Sequence, residues 1–240
     1  MTLSLSTGSI YKWGKNIDDL ITICKDNIRI DGLELMFANK EVLENTKITA
    51  KNVEWLKTLP YVTLHAPVKI VKESIDENDI ESQLKKMEYI YNLTEAKAVI
   101  FHVTNLPRLE ILQKFSFKFI IENTTLNGGI DLDNFYKIIK DYKCDLCLDV
   151  SHSFTWSVKE AQRYSQRLND NIFQIHLSSS HGSHEHLPMS TMDLAFEKSI
   201  EFLKSTNKPF IIESEYNDKD IDFLNNDLNF IYNYFENSHQ

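Results

Sequence analysis

Leu146-Cys147-Leu148-Asp149, continued by Val150-Ser151-His152, is an apolar run that ends on a carboxylate and sets a histidine three residues further on. A run of four or five apolar residues has the length of a strand buried on both faces. The same spelling recurs on either side of it. Upstream stand Leu3-Ser4-Leu5-Ser6, Gly32-Leu33-Glu34-Leu35-Met36, Tyr61-Val62-Thr63-Leu64-His65, Ala98-Val99-Ile100-Phe101-His102 and Phe119-Ile120-Ile121-Glu122. Downstream stand Ile172-Phe173-Gln174-Ile175-His176 and Phe210-Ile211-Ile212-Glu213. Longer stretches with helical apolar spacing separate these runs: Ile17 to Cys24, Ile80 to Leu93, Leu132 to Ile139, Val158 to Leu168, Leu194 to Leu203 and Ile221 to Phe235. Asp131 and Asp193 occupy helix N-cap positions. The fourth unit is short, with a brief helix expected from Arg108 to Phe115. Strand-then-helix alternation implies βαβ units on a parallel sheet, and eight units in 240 residues predict a single (β/α)₈ barrel domain over 1–240.

In such a barrel the C-terminal ends of all the strands open on one face, so residues distant in sequence meet in a ring. Six of the eight runs end on a residue able to bind metal or move a proton: His65, His102, Glu122, Asp149, His176 and Glu213. His152 follows Asp149 by three. A buried carboxylate or imidazole without a partner is costly, and a shared divalent cation removes the cost. After the seventh run comes a histidine-rich stretch in which His181, His184 and His186 follow His176. His184 or His186 is expected to join the ligands, and the sequence does not choose between them.

The formal net charge of −9 gives no general attraction to nucleic acid or to anionic membranes. No apolar run reaches membrane-spanning length and the N-terminus does not read as a signal peptide. Three cysteines, an odd and low number, fit a reducing cytoplasm better than a disulfide framework. Cys144 and Cys147 match a C-x-x-C spelling, but residues three apart on a strand face opposite ways. They are read as ordinary buried thiols.

The segments Leu64-His65-Ala66-Pro67, Ile100-Phe101-His102, Ile121-Glu122-Asn123-Thr124, Leu148-Asp149-Val150-Ser151-His152, His176-Leu177, His186-Leu187-Pro188 and Ile212-Glu213-Ser214 come in an order and spacing that resembles the xylose isomerase-like and endonuclease IV-like barrel superfamily. The resemblance runs from Leu3 to about Phe235 and implies two kinds of site. The isomerase and epimerase branch implies one metal held by Glu122, Asp149, His176 and Glu213. The endonuclease IV branch implies further zinc ions on His65, His102, His152 and one of His184 and His186. The chain departs from the nuclease pattern where His184-Glu185-His186 lacks the expected aspartate, and where Val68 and Lys69 stand in place of an aromatic that enters DNA.

Two activities follow as expectations. The first is a sugar or sugar-phosphate isomerase or epimerase that moves a proton through a metal-stabilised enediolate, with Glu122 and Glu213 as base and acid. In that reading Glu34 and Lys69 bind substrate hydroxyls or phosphate, and the partner is a small sugar or its phosphate. The alternative is a zinc-dependent phosphodiester hydrolase of the endonuclease IV type, whose partner would be DNA. A barrel that only binds metal or a small ligand is a third possibility. Zn²⁺ fits the histidine-rich set, while Mn²⁺, Mg²⁺ or Co²⁺ suits the carboxylate subset. No organic cofactor is expected.

Overall fold

The alternation of side chains along the strands decides where everything sits. A computed structural model describes residues 1–181 and 184–236. Its first strands are β1 (Leu3–Ser6), β2 (Gly32–Met36), β3 (Tyr61–His65), β4 (Val99–His102), β5 (Phe119–Glu122), β6 (Asp145–Asp149) and β7 (Ile172–Leu177). A short antiparallel pair follows, β8 (Ser179–His181) with β9 (His184–Leu187), and then β10 (Phe210–Ile212). Strands β1 to β7 and β10 are parallel and close in the order β1-β10-β7-β6-β5-β4-β3-β2. The expected eight-stranded barrel is therefore observed.

Odd and even positions divide the core in two. Leu33, Leu35, Val62, Leu64, Val99, Phe101, Ile121, Leu146, Leu148, Ile175, Leu177 and Ile212 point outward and join one large cluster with the helices. Their strand neighbours point into the barrel. There Ala98, Ile100, Ile120 and Cys147 form a small separate apolar cluster, with Phe173 against it. Most other inward positions are polar, and Ser4, Glu34, Thr63, Glu122, Asp149, Gln174 and His176 among them are fully buried. Burial of the outward leucines and isoleucines supplies the main driving force. Truncating one of them, such as Leu148 at 0% exposure, costs about 2–5 kcal/mol.

The helices are α1 (Ile17–Asn27), α2 (Lys40–Asn45), α3 (Ala50–Thr58), α4 (Glu77–Thr94), α5 (Leu109–Leu112), α6 (Leu132–Tyr142), α7 (Val150–Trp156), α8 (Glu160–Leu168), α9 (Leu194–Ile200) and α10 (Ile221–Glu236). Asp131 and Asp193 cap α6 and α9 through their side chains, as their positions predict. Sequence periodicity does not show α2, α3 or α7. Val150-Ser151-His152-Ser153-Phe154-Thr155-Trp156 has poor intrinsic helix propensity. It folds as a helix because Asp149, at the end of β6, caps it by accepting the His152 backbone N–H. The stretch expected to be helical from Leu194 to Leu203 splits into α9 and a 3₁₀ turn, Glu201–Ser205.

Cys144 joins the outer cluster and Cys147 the inner one, so they face opposite ways. Burial pushes the Cys144 thiol up to about 12, which leaves it inert. No helix among the described residues is long and apolar enough to cross a membrane.

Candidate metal centre

Strand register brings the polar run-ends side by side. His102 pairs with Glu122 across β4 and β5, and Asp149 pairs with His176 across β6 and β7. Glu122 lies at the middle of the resulting cluster. Its Oε2 is 3.0 Å from His65 Nε2 and 3.2 Å from His102 Nε2. Its Oε1 is 3.1 Å from His152 Nδ1 and 3.6 Å from His176 Nδ1. His176 Nδ1 in turn lies 3.0 Å from Glu213 Oε2. Imidazole rings form a chain across the mouth: His65 to His102 at 5.0 Å, His102 to His152 at 6.0 Å, and His152 to His186 at 5.2 Å between centroids.

Main-chain acceptors settle where a ring hydrogen lies. His65 Nδ1 lies 2.8 Å from the Ala66 carbonyl and His152 Nδ1 lies 3.0 Å from the Asn123 carbonyl. A carbonyl only accepts, so both Nδ1 atoms carry hydrogen; His65 then meets Glu122 Oε2 through Nε2, whereas His152 shares its Nδ1 between the Asn123 carbonyl and Glu122 Oε1. Asn123 also ties the ends of β5 and β6 together. Its amide donates to the Asp149 carbonyl and to Ser153 Oγ, and its Oδ1 accepts the Asp149 N–H. Asp149 divides its two oxygens: Oδ1 caps α7 at 2.6 Å from the His152 N–H, while Oδ2 is buried with no hydrogen-bond partner.

Glu122 Oε1 and His176 Nδ1 are also buried without a well-directed hydrogen bond, each facing a charged partner: His152 Nδ1 at 3.1 Å and Glu213 Oε2 at 3.0 Å. Three such atoms in one cluster, each an electron-pair donor once the imidazole protons are displaced, are what a bound cation would satisfy. Among the described residues three ligand groups can be drawn, each with one donor atom per residue within 4.8 Å of the others. They are Glu122, Asp149, His176 and Glu213; His65, His102 and Glu122; and His152, Glu185 and His186.

The electrostatics point the same way. Burial works against charge on His65, but Glu122 beside it outweighs that and holds the imidazolium to about 9. Burial likewise opposes charge on His152, and Asp149 and Glu122 raise it to about 10. Burial opposes ionisation of Glu122 too, yet the neighbouring imidazoles of His102 and His176 hold its carboxyl well below the usual range. Glu213 is buried as well, and His176 brings it down to about 2. Asp149 alone is pushed up, by burial first. The metal-free cluster is therefore a set of carboxylates compensated by protons on imidazole, the protons that a divalent cation would displace.

The sequence-predicted residues do not all gather there. Of the pair left open, His186 reaches the cluster, with Nδ1 3.3 Å from Ser178 Oγ, while His184 is exposed and enters none of the three ligand groups. Gly182 and Ser183 of the same stretch lie outside the described residues. Glu34 does not reach the mouth: it is fully buried beneath His176. Lys69 is largely exposed, 3.9 Å from Glu73 and in none of the groups. Sequence reasoning missed Glu185. Adjacent residues on a strand face opposite ways, but His186 has φ of 57°, and this left-handed turn brings both side chains toward His152. Non-glycine residues pay for that conformation, and such strain concentrates at functional sites. A cavity of about 370 Å³ opens beside Glu213 and His186, with Tyr11, Lys15, Met36 and Val42 in its walls.

No family model matches the chain, and no curated protein matches it by sequence. Solved structures do. Endonuclease IV from Thermus thermophilus superposes with a TM-score of 0.71 at 15% identity, covering 99% of this chain and 100% of that one. A D-tagatose 3-epimerase-like protein gives 0.70 at 16% identity, covering 98% and 97%. The D-allulose 3-epimerase from Methylomonas sp. gives 0.68 at 11% identity, covering 97% and 96%. The fold is shared. At these identities it carries no activity across, and enzymes of two chemistries stand equally near.

Proposed function

We propose that this chain is a metal-dependent phosphodiester hydrolase working with more than one cation. The observation that carries this reading is the sharing of Glu122 between two ligand groups, with a third group alongside on His152, Glu185 and His186. A single-metal isomerase uses one carboxylate-rich group and has no need of His65 and His102 packed against the far oxygen of Glu122. The histidine-rich donor set suits zinc. Divalent cations held there would polarise a phosphoryl oxygen and activate water.

The chain's own residues do the rest. Glu122 supplies both oxygens at the centre of the cluster. The Ala66 and Asn123 carbonyls hold the His65 and His152 rings in place through Nδ1. Glu213 stays ionised beside the cavity.

One observation favours the isomerase or epimerase reading instead. Glu122, Asp149, His176 and Glu213 are complete as a one-metal set, and the adjoining cavity has room for a monosaccharide. Elemental analysis of zinc-loaded protein separates the two. Two or three ions per chain, with cleavage of bis(p-nitrophenyl) phosphate or of a duplex carrying an abasic site, supports the hydrolase. One ion per chain, with turnover of ketoses or their phosphates and no phosphodiester cleavage, reverses the assignment.

A further inference from the structure

Unlike the rings of His65 and His152, the His176 ring is not held by a main-chain carbonyl. Its Nδ1 faces the cluster, so its Nε2 points down into the barrel, where it meets two side chains. Gln174 Nε2 is 3.0 Å away and Glu34 Oε2 is 3.3 Å away. These contacts demand opposite tautomers. The Gln174 amide can only donate, which would make Nε2 an acceptor and put the hydrogen on Nδ1. Glu34 can only accept, which would put the hydrogen on Nε2 and free Nδ1.

The amide cannot turn over to resolve the conflict. Its Nε2 also donates to Glu34 Oε2 at 2.9 Å, and its Oε1 accepts from Tyr61 Oη at 3.0 Å. A flipped amide would set two acceptors face to face. It can, however, direct its second hydrogen to Cys147 Sγ, 3.4 Å away. Among the described residues Glu34 is therefore the one carboxylate in reach of His176 Nε2, and its charge makes it a far stronger acceptor than the Cys147 thiol beside the ring. It is built into place: Thr63 Oγ1 donates to the same Oε2 at 2.9 Å, and Glu34 itself has 0% exposure. Gly32, two residues before it on the same inward face, keeps the space open, since a Cβ there would strike the Tyr61 carbonyl and Ser4 Oγ.

We propose that Glu34 is a positioning residue that holds the hydrogen of His176 on Nε2 and so presents Nδ1 to the metal. The inference rests on the metal reading of the cluster but not on hydrolysis. A carboxylate behind a metal-bound imidazole orients the ring and raises its basicity, and losing such a partner costs about 10- to 100-fold in metal affinity. This is the place of Glu34 in the chain: it acts through His176 rather than on a substrate.

The test is zinc affinity by chelator competition in the full-length chain. Glu34→Gln is expected to lose about 10- to 100-fold. Thr63→Val removes a different hydrogen bond from the same oxygen and is expected to bind zinc as the wild type does. Should Glu34→Gln fail to fold, Glu34→Asp keeps the charge and withdraws it from Nε2, and the same loss is expected. Long-range ¹⁵N spectra of the zinc-loaded wild type should show the His176 hydrogen on Nε2. Wild-type affinity in both Glu34 variants, or a hydrogen on Nδ1 in the loaded protein, overturns the inference alone. An equal loss in Thr63→Val reduces Glu34 to a structural role and also overturns it. A wild type that binds no zinc overturns the metal reading and this inference together.

Discussion

Glu122→Gln removes one charge at the point where four imidazoles meet. In metal-free protein His65 stays protonated to about 9 rather than the ordinary 6.5, because Glu122 outweighs the burial that would lower it. At about 1.4 kcal/mol per pH unit, that interval is worth about 3 kcal/mol of native-state preference for the charged ring. His65 is 1% exposed, so solvent screening takes little from it. The sign follows from linkage. A group whose folded pKa is raised contributes stability that is complete below its unfolded pKa and is lost as pH rises through the folded one. Chelator-treated wild type should therefore lose stability in urea between pH 6.5 and about 9. In Glu122→Gln the ring keeps only the charges of Glu34 and Glu213, burial favours its neutral form more strongly, and the slope over that interval should be shallower than in the wild type, with His152 and Asp149 supplying what remains. The variant should be the less stable of the two near pH 6.5, and the gap should close toward pH 9. Curves that run parallel across the whole range would refute the argument, since they would mean that Glu122 does not hold the proton on His65.

Tyr216 Oη donates to Asp227 Oδ2 at 2.6 Å, and both are buried, so Tyr216→Phe should cost about 1.5–3 kcal/mol in urea unfolding. Burial and Asp227 hold the Tyr216 hydroxyl well above its ordinary value of 10, so its contribution is complete below pH 10 and is lost only as pH rises further. His186→Ala should lower the number of zinc ions bound per chain, measured by elemental analysis, whereas His184→Ala, at an exposed position of β9, should leave it as in the wild type. A count unchanged in His186→Ala would remove the third ligand group.

The barrel was legible because two periodicities agree. Each run has strand length, each gap has helical spacing, and each run ends where a parallel barrel collects its strand ends. His65, His102, Glu122, Asp149, His176 and Glu213 could be read for that reason alone: position in the run stands in for position in space. The rest of the cluster depends on things that a run does not encode. Glu185 joins its neighbour His186 only because a left-handed residue breaks the strand. Glu34 reads as a mouth residue when the second run is taken alone. What places it below His176 is register: Glu34 pairs with Thr63, two residues short of the His65 that pairs with Met36. Gln174 and Thr63 look like accidents of polarity inside apolar runs until the inward face of the barrel is seen as a whole. α7 escaped for a different reason: its stability comes from the cap at Asp149 and from packing, and its own residues argue against it.

Asp149 offers a way to separate what holds the fold from what holds the metal. Oδ1 caps α7, and Oδ2 is turned into the cluster without a partner. Asparagine caps a helix about as well as aspartate, so Asp149→Asn keeps the contact to the His152 N–H. What it changes is the other atom, which becomes an amide nitrogen carrying two hydrogens and no electron pair for a cation. It also removes a charge that burial disfavours, since the Asp149 carboxyl is pushed above its ordinary value in the metal-free protein. Metal-free Asp149→Asn should therefore melt at or above the temperature of metal-free wild type near pH 7, while its zinc affinity falls. Asp149→Ala loses the cap as well, at a further cost of about 1 kcal/mol. The two variants share the ligand loss and differ in the cap. Zinc added to the wild type should raise its melting temperature by mass action, and added to Asp149→Asn it should raise it far less. If zinc stabilises Asp149→Asn as much as the wild type, Oδ2 is not a ligand, and the orphaned atoms of this cluster need another explanation than a cation.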